Sequence, residues 1–355
     1  MQSRTKLKIK NAIKGTKIGK KLRDMYQKRG FTRKNAEDAF DTFKGVTNLK
    51  KTDKDRIVAD MLNEARKYSF GFDEYFMFHF YEKSNEERRE YVSCRERISY
   101  CERMNNIKNM IIFDDKALSY KVFKKYYKRD LIGIFSENDV DSFKSFISQH
   151  ERFIVKPFDG AGGYGIQIVK GDTMNPKKQL MELFAKYKKG FVVEELIIQS
   201  EELSKLHPES VNTLRMPTVL FKDRTEIIHP VLRIGRGGNI VDNSHSGGIS
   251  CGIDIETGRI TSAADANGRR YETHPDTGVQ LIGFNVPDWE EAKSLAMELA
   301  HVLPDNKYTG WDLAHTENGW IMQEGNDRGD FDIFQLTSNS GFRKEIEQIV
   351  NELGV

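Results

Sequence analysis

The spacing of apolar and polar positions divides this chain of 355 residues into three stretches. Residues 1–105 read as mainly helical. At their start Leu7, Ile9, Ile13, Ile18, Leu22 and Met25 roughly follow helical spacing, with lysines between them. Further on, Tyr68, Phe70, Phe72, Tyr75, Phe76, Phe78, Phe80 and Tyr81 crowd together, a density that reads as core rather than as a cofactor box. Residues 106–195 alternate. A short apolar run, Met110–Phe113, predicts a strand, and a helix opens at Asp115. A second helix covers Val140–Gln149, followed by a strand at Phe153–Lys156 and a glycine loop. Then come a strand at Ile166–Lys170, a helix at Lys177–Lys188 and a strand at Phe191–Glu195. From 210 onward β signals dominate, with strands near 214–221, 226–234 and 308–325 and helices at 288–302 and 342–353. This order of elements is α+β and not a regular βαβ winding. It predicts a helical, basic region at 1–105, a lobe at 106–195 carrying the glycine hairpin, and a C-terminal lobe at 196–355.

Charge changes the picture at one end only. The formal net charge is +3, but residues 1–30 hold eleven Lys/Arg against one acid, Asp24, a local +10 that leaves the remainder at −7. Three readings of this arm follow, in descending order: a solvated helix docked on its own acidic body, contact with an anionic membrane surface or polyanionic glycan, and nucleic acid. The last rests on charge alone, since no zinc-finger, RRM or basic-zipper signature accompanies it. No run approaches the roughly 20 apolar residues of a membrane span. Lysines also interrupt the N-terminus too often for a secretory signal. Cys94, Cys101 and Cys251 form no CxxC pair, which suits reduced thiols and a cytoplasmic address, peripheral to the membrane if the arm meets lipid.

Asp159-Gly-Ala-Gly-Gly-Tyr-Gly165 contains GxGxxG. A dinucleotide fingerprint needs a helix directly after it, yet Ile166-Gln-Ile-Val169 alternates as a strand. A Walker A loop would end in Lys-Ser/Thr, which is absent here. Gly15–Gly19-Lys20 has the wrong spacing. Protein kinases cover phosphates with such a hairpin, but their HRD and DFG follow it, whereas here only Lys128-Arg-Asp130 occurs, upstream. What remains is a strand–loop–strand hairpin whose amides, at Gly162 and Gly163 above all, can approach phosphate oxygens without Cβ atoms in the way. Lys156 ends the preceding strand beside Pro157, where a cation can neutralise phosphate charge. Lys116, on its own, is an ordinary surface lysine.

The segment Gly310-Trp-Asp312 to Glu324-Gly-Asn326 reads as two alternating strands around Glu317-Asn318-Gly319. A three-residue loop with a left-handed Gly319 pairs Thr316 with Trp320 and Asp312 with Glu324, and Asn326 shares their face. Opposed Cβ atoms lie roughly 5 Å apart, so two carboxylates and an amide oxygen converge as ligands for a hard cation such as Mg²⁺. A two-residue Asn-Gly turn would send Asp312 and Glu324 to opposite faces.

In order along the chain, Lys116, Val155-Lys-Pro157, the glycine hairpin, Glu194-Glu195, Asp312 and Glu324-Gly-Asn326 resemble the ATP-grasp superfamily over about 110–330. His207-Pro-Glu-Ser-Val-Asn-Thr-Leu-Arg215, Leu232-Arg-Ile-Gly, Val241-Asp-Asn243, Gly247-Gly-Ile249 and His274-Pro-Asp-Thr-Gly278 look like its sugar-transfer-associated branch, which is linked to polysaccharide biosynthesis. Arg233 followed by Asn243 and Gly247-Gly248 is also similar to the ribosomal-protein glutamate ligases. The resemblance implies two α+β lobes clamping ATP. Lys116 and Lys156 would bind the α- and β-phosphates, and the backbone from Glu195 to Ile197, beside the acidic Glu194, would hold adenine. Glu201 or Glu202 would take the ribose, although the sequence departs in length there. Asp312, Glu324 and Asn326 would hold Mg²⁺, with Arg215 and Arg233 facing the γ-phosphate. The implied activity is a carboxylate–amine ligase acting through an acyl-phosphate, joining an amine or amino acid to a sugar acid or related small-molecule or glycan carboxylate. An ATP-grasp phosphotransferase or a non-catalytic nucleotide-binding module are the alternatives.

Overall fold

The computed structural model describes residues 30–45, 47–158, 165–329 and 331–355. The basic arm therefore lies outside the described residues up to position 29, and so do Gly162 and Gly163 of the glycine loop. Helices come first: α1 (Arg33–Phe43), α2 (Lys54–Tyr68), α3 (Phe72–Met77), α4 (Asn85–Arg89), α5 (Cys94–Met104), α6 (Met110–Asp114) and α7 (Lys116–Tyr127). Local chemistry fixes their starts. Thr32 accepts the Asn35 N–H at α1, Ser93 and Glu96 form a reciprocal capping box at α5, and Asp115 accepts the Ala117 and Leu118 N–H groups at α7. The crowded aromatics form core as expected: Phe70, Tyr75, Phe76, Phe78 and Phe80 are buried together.

The strand expected at Met110–Phe113 is instead helix α6. Four consecutive apolar residues carry no period that separates a strand from a buried helical turn. Here Phe113 leaves the turn to pack on Phe123 and Trp311, at ring separations of 6.1 and 6.2 Å.

Two sheets follow. The smaller contains β1 (Leu131–Ile134), β2 (Arg152–Pro157), β3 (Gln167–Lys170) and β4 (Phe191–Glu195) in the order β1-β4-β2-β3, all antiparallel. Alternation sorts its faces. Phe153, Val155, Phe191 and Val193 pack on α8 (Val140–Gln149) and α9 (Pro176–Lys186), while Arg152, Ile154, Lys156 and Glu194 face the opposite way.

After the short helix α10 (Glu201–Ser204), the larger sheet is built from β5 (Leu214–Leu220), β6 (Thr225–Ile227), β7 (Val231–Ile234), β8 (Ile249–Ile253), β9 (Ile260–Asp265), β10 (Tyr308–Thr316) and β11 (Gly319–Asn326). Its order is β11-β10-β5-β7-β8-β9, with β6 on β5. Helix α11 (Trp289–Ala300) covers one face, burying Ala292, Leu295 and Leu299 with Leu214, Met216, Leu313 and Trp320. Helices α12 (Phe331–Ser338) and α13 (Arg343–Leu353) anchor the N-terminal helices. The Gln335 amide bonds both backbone groups of Val92, and Arg343 donates to the carbonyls of Arg89 and Tyr91. The molecule is thus mixed α+β with a helical N-terminal region. Among the described residues no helix is long and apolar enough to cross a membrane.

Candidate functional site

A cavity of about 790 Å³ separates the two sheets. From the smaller sheet it is lined by Ile154, Lys156, Ile168 and Glu194. The linker Glu195–Gln199 forms its back, and Arg233, Gln323, Glu324 and Asn326 line it from the larger sheet. Lys116 reaches it from the first turn of α7.

On the small sheet, Ile154 pairs with Glu194, so Lys156 sits diagonally across on the same face. Lys156 Nζ lies 2.7 Å from Glu194 Oε2, and Arg129 Nε donates to Glu194 Oε1 at 2.7 Å. Burial alone would raise the Glu194 carboxyl, but Arg129 and Lys156 outweigh it and hold the group at about 2. Glu194 is thus an anchor for two cations, 2% exposed. Its neighbour Glu195 accepts the Asp130 N–H at 3.0 Å. Beyond it the chain leaves the ladder, and among the described residues nothing takes up the backbone N–H or C=O of Ile197.

The hairpin β10–β11 brings Asp312 opposite Glu324, as expected, but by a different route. The loop is tight: Thr316 pairs with Gly319 and His315 with Trp320, not Thr316 with Trp320. Left regular, that register would set Asp312 against Gln323 and turn Glu324 to the other face. Between Leu313↔Met322 and Asp312↔Glu324 the register shifts by one residue, and Gln323 is the residue left over. This bulge restores the pairing. Asn326 then turns Nδ2 toward Asp312 Oδ2 at 3.4 Å, leaving its carbonyl oxygen to other partners.

Asp312 is fully buried and held by two arginines. Arg215, its partner across β10–β5, donates through Nε to Oδ1 (2.5 Å) and through Nη2 to Oδ2 (3.1 Å). Arg233 Nη2 donates to Oδ2 at 3.0 Å. Burial raises the Asp312 carboxyl, and the arginines more than reverse this, so it lies below the usual aspartate range. Arg233 also donates to Thr213 Oγ1, whose hydroxyl and N–H are taken by Asp242. Burial pushes the Asp242 carboxyl up despite Arg233.

The structure therefore brings Lys116, Lys156, Glu194, Glu195, Ile197, Arg233, Glu324 and Asn326 to one cavity, while Arg215 and Asp312 stand directly behind its wall. Glu201 and Glu202 do not line it; Glu209 does, with a half-exposed carboxylate 3.2 Å from His207. Sequence reasoning missed Glu209, although the departure in length after Glu195 pointed to this stretch. It also missed Gln323, whose buried Oε1 has no hydrogen-bond partner among the described residues. An orphaned acceptor in a cavity wall is a costly arrangement unless a ligand answers it.

A family model described as sugar-transfer associated ATP-grasp matches residues 95–351. The chain belongs to this family. Solved structures similar to this ATP-grasp chain include the ligase PsnB with a phosphomimetic variant of its minimal precursor, Mg and ADP. That match has 12% identity and a TM-score of 0.42, over 71% of this chain and 62% of that one. D-alanine-D-alanine ligase from Helicobacter pylori is 14% identical (70% and 64% covered, TM-score 0.44). N5-carboxyaminoimidazole synthetase from Staphylococcus aureus with ADP is 12% identical (71% and 58%, TM-score 0.42). The chain spans roughly three fifths of the length of these three structures. No curated protein matches it.

Proposed function

We propose that the cavity binds Mg-ATP and that the protein is an ATP-dependent carboxylate–amine ligase. The observation that carries this is that one cavity is lined by two lysines, Lys116 and Lys156, together with the carboxylate of Glu324 and the amide of Asn326. Residues 106–195 and 196–355 act as the two lobes. Lys116 and Lys156 neutralise the α- and β-phosphates. The free amide and carbonyl of Ile197 suit the edge of adenine, and Glu209 rather than Glu201 or Glu202 suits the ribose.

The donor set fits Mg²⁺: all ligands are oxygen. Glu324 and Asn326 present theirs to the cavity. Asp312 already accepts four hydrogen bonds, two from Arg215, one from Arg233 and one from Asn326, so it would join Mg²⁺ only by exchanging the long Asn326 contact for the metal. When bound, Mg²⁺ would withdraw charge from the transferred phosphoryl group. Arg233 faces the same end and stabilises charge on that group, and Arg215 fixes Asp312 from behind.

A substrate carboxylate oxygen attacks the γ-phosphorus, the bond to the β-phosphate oxygen breaks, and ADP leaves. An amine then adds to the carbonyl carbon of the acyl-phosphate, the C–O bond breaks, and phosphate departs while the amine proton passes to solvent. The chain's contribution is orientation and fixed charge. Asn243 lines the cavity near Arg233, where the acceptor would enter. The sugar-transfer association of the family supports a sugar acid or related glycan carboxylate as substrate, and the ligase reading adds an amine or amino acid as acceptor.

Hydroxylamine trapping tests the reading. Purified protein, Mg-ATP and a pool of sugar acids, nucleotide-sugars and amino acids should yield a hydroxamate that disappears in Lys156→Ala. A phosphorylated alcohol without hydroxamate would replace the ligase with a phosphotransferase.

A further inference from the structure

The Lys128-Arg129-Asp130 turn between α7 and β1 not only holds Glu194 and Glu195 but also joins the two sheets. Lys128 Nζ donates to the Trp320 carbonyl at 3.1 Å. Arg129 Nη1 donates to the Met322 carbonyl at 2.6 Å, and Nη2 to the Gln323 carbonyl at 3.2 Å. The same guanidinium holds Glu194, which holds Lys156. The Asp130 N–H goes to Glu195.

The acceptors are not arbitrary carbonyls. Strand β11 is an edge of the larger sheet. Trp320 and Met322 are two apart, so their carbonyls share one edge of the strand, the edge a further strand would otherwise claim. Gln323 is the extra residue of the bulge, and a bulge leaves its backbone groups outside the ladder. Arg129 takes the carbonyls of Met322 and Gln323 together, at the step where the register shifts. Arg129 is 8% exposed, and its planar fork donates toward Glu194 and toward both carbonyls, a pattern a lysine cannot reproduce.

We propose that Arg129 is a positioning residue: by capping the two bulge carbonyls it holds the register that sets Glu324 opposite Asp312, and through Glu194 it ties that register to Lys156. Without the cap, nothing among the described contacts of Gln323 opposes relaxation to the regular register, which turns Glu324 out of the metal face. The inference rests on the reading of the cavity as a Mg-nucleotide site, and it concerns the metal half of that site.

The test is ADP binding by calorimetry in EDTA and in Mg²⁺, with Mn²⁺ as a second probe read by electron paramagnetic resonance. The wild type, Arg129→Lys, Arg129→Met, Glu324→Gln and the Arg129→Lys/Glu324→Gln double variant are compared. Both Arg129 variants should lose about tenfold to a hundredfold of the metal-dependent tightening, the usual cost of removing an outer partner of a metal ligand. In Arg129→Lys, ADP affinity in EDTA should stay within about threefold, because Glu194 keeps Lys156 as its partner and a second cation beside it. In the Glu324→Gln background, Arg129→Lys should cost nearly nothing more, since it acts through Glu324. Arg129→Lys retains a cation beside Glu194 and guards against misfolding of the methionine variant. Equal losses with and without metal, additive effects in the double variant, or unchanged metal-dependent tightening would each overturn the role of Arg129. Failure of the wild type to bind ADP at all would instead overturn the reading of the cavity, and the inference with it.

Discussion

Glu194 and Glu74 are both buried glutamates, and the protein treats them in opposite ways. Glu194 lies between the sheets with Arg129 and Lys156 against it, and despite its burial it is held at about 2. Glu74 lies among the N-terminal helices, and among the described residues its carboxylate takes hydrogen bonds from backbone alone: the Gly71 N–H at 2.6 Å and the Cys94 N–H at 2.7 Å. There burial wins, helped by Asp73 and Asp332, and the carboxyl is pushed up to about 8. Two amide dipoles at helix starts satisfy hydrogen bonds, but they do not replace a cation's charge when water is excluded. The difference lies in the two sites and not in the two regions, since Glu64 among the same N-terminal helices is buried against Arg88 and Arg89. The first arrangement ties Arg129 and Lys156 together at the cavity wall; the second holds helices α3 and α5 in place.

The comparison breaks most visibly if Glu194 is neutralised. Glu194→Gln strands Arg129 and Lys156 around a neutral amide and should cost about 3–5 kcal/mol at pH 7, read from urea unfolding. A loss below about 1 kcal/mol, the range of an exposed pair, would mean that the two cations are solvated and the carboxylate is not an anchor.

Next in size are losses confined to ligand binding. Glu324→Gln removes a charge that faces the cavity without stranding a buried partner. It should lower Mg²⁺-dependent ADP affinity about tenfold to a hundredfold, as for a hydrogen-bonded or ionic contact to a charged group, with unfolding nearly unchanged. Asp312→Asn should behave differently, losing metal response and also about 3–5 kcal/mol of stability, because Arg215 and Arg233 remain buried beside it.

How much of this was legible in the sequence depends on separation along the chain. The carboxylate hairpin is local, and Asp312 with Glu324 could be paired by counting from the turn. The count reached the right pair through the wrong loop, because a tight turn and a bulge at Gln323 offset each other. Helix α8, spanning Val140–Gln149, was readable to its ends from its period. Strand β8, Ile249–Ile253, was not, since all five of its residues are buried and it shows no alternation to detect. The ionic clusters were hidden for another reason. Arg129 and Glu194 are 65 residues apart, and Arg215 and Asp312 are 97 apart, so only the fold brings each pair together. Lys128-Arg-Asp130 was visible as a motif but had been set aside in the comparison with kinases.

A smaller effect sharpens the contrast through pH. The Glu194 carboxyl is depressed from its ordinary 4.5, so its stabilising contribution is present above about pH 4.5 and is lost as pH falls toward 2. The Glu74 carboxyl is raised, so its contribution is complete below about pH 4.5 and is lost as pH rises through 8. Unfolding free energy measured across pH should therefore fall on both limbs. Glu194→Gln should flatten the acid limb and leave the alkaline one, and Glu74→Gln should do the reverse.

Glu74→Gln at neutral pH is the smallest expected change and the most discriminating one. If the Glu74 carboxyl is neutral at pH 7, an amide of the same shape replaces a neutral group. Its carbonyl oxygen still accepts one of the two N–H groups from Gly71 and Cys94, while its NH₂ confronts the other. The cost is then one hydrogen bond left unmade, about 1–2 kcal/mol, with no charge stranded nearby. If Glu74 were ionised like Glu194, the substitution would remove an anion that complements two helix starts, and the loss would approach that of Glu194→Gln. Equal costs for the two substitutions would show that backbone dipoles alone can sustain a buried carboxylate here, and the cations around Glu194 would then exist for the ligand rather than for the glutamate.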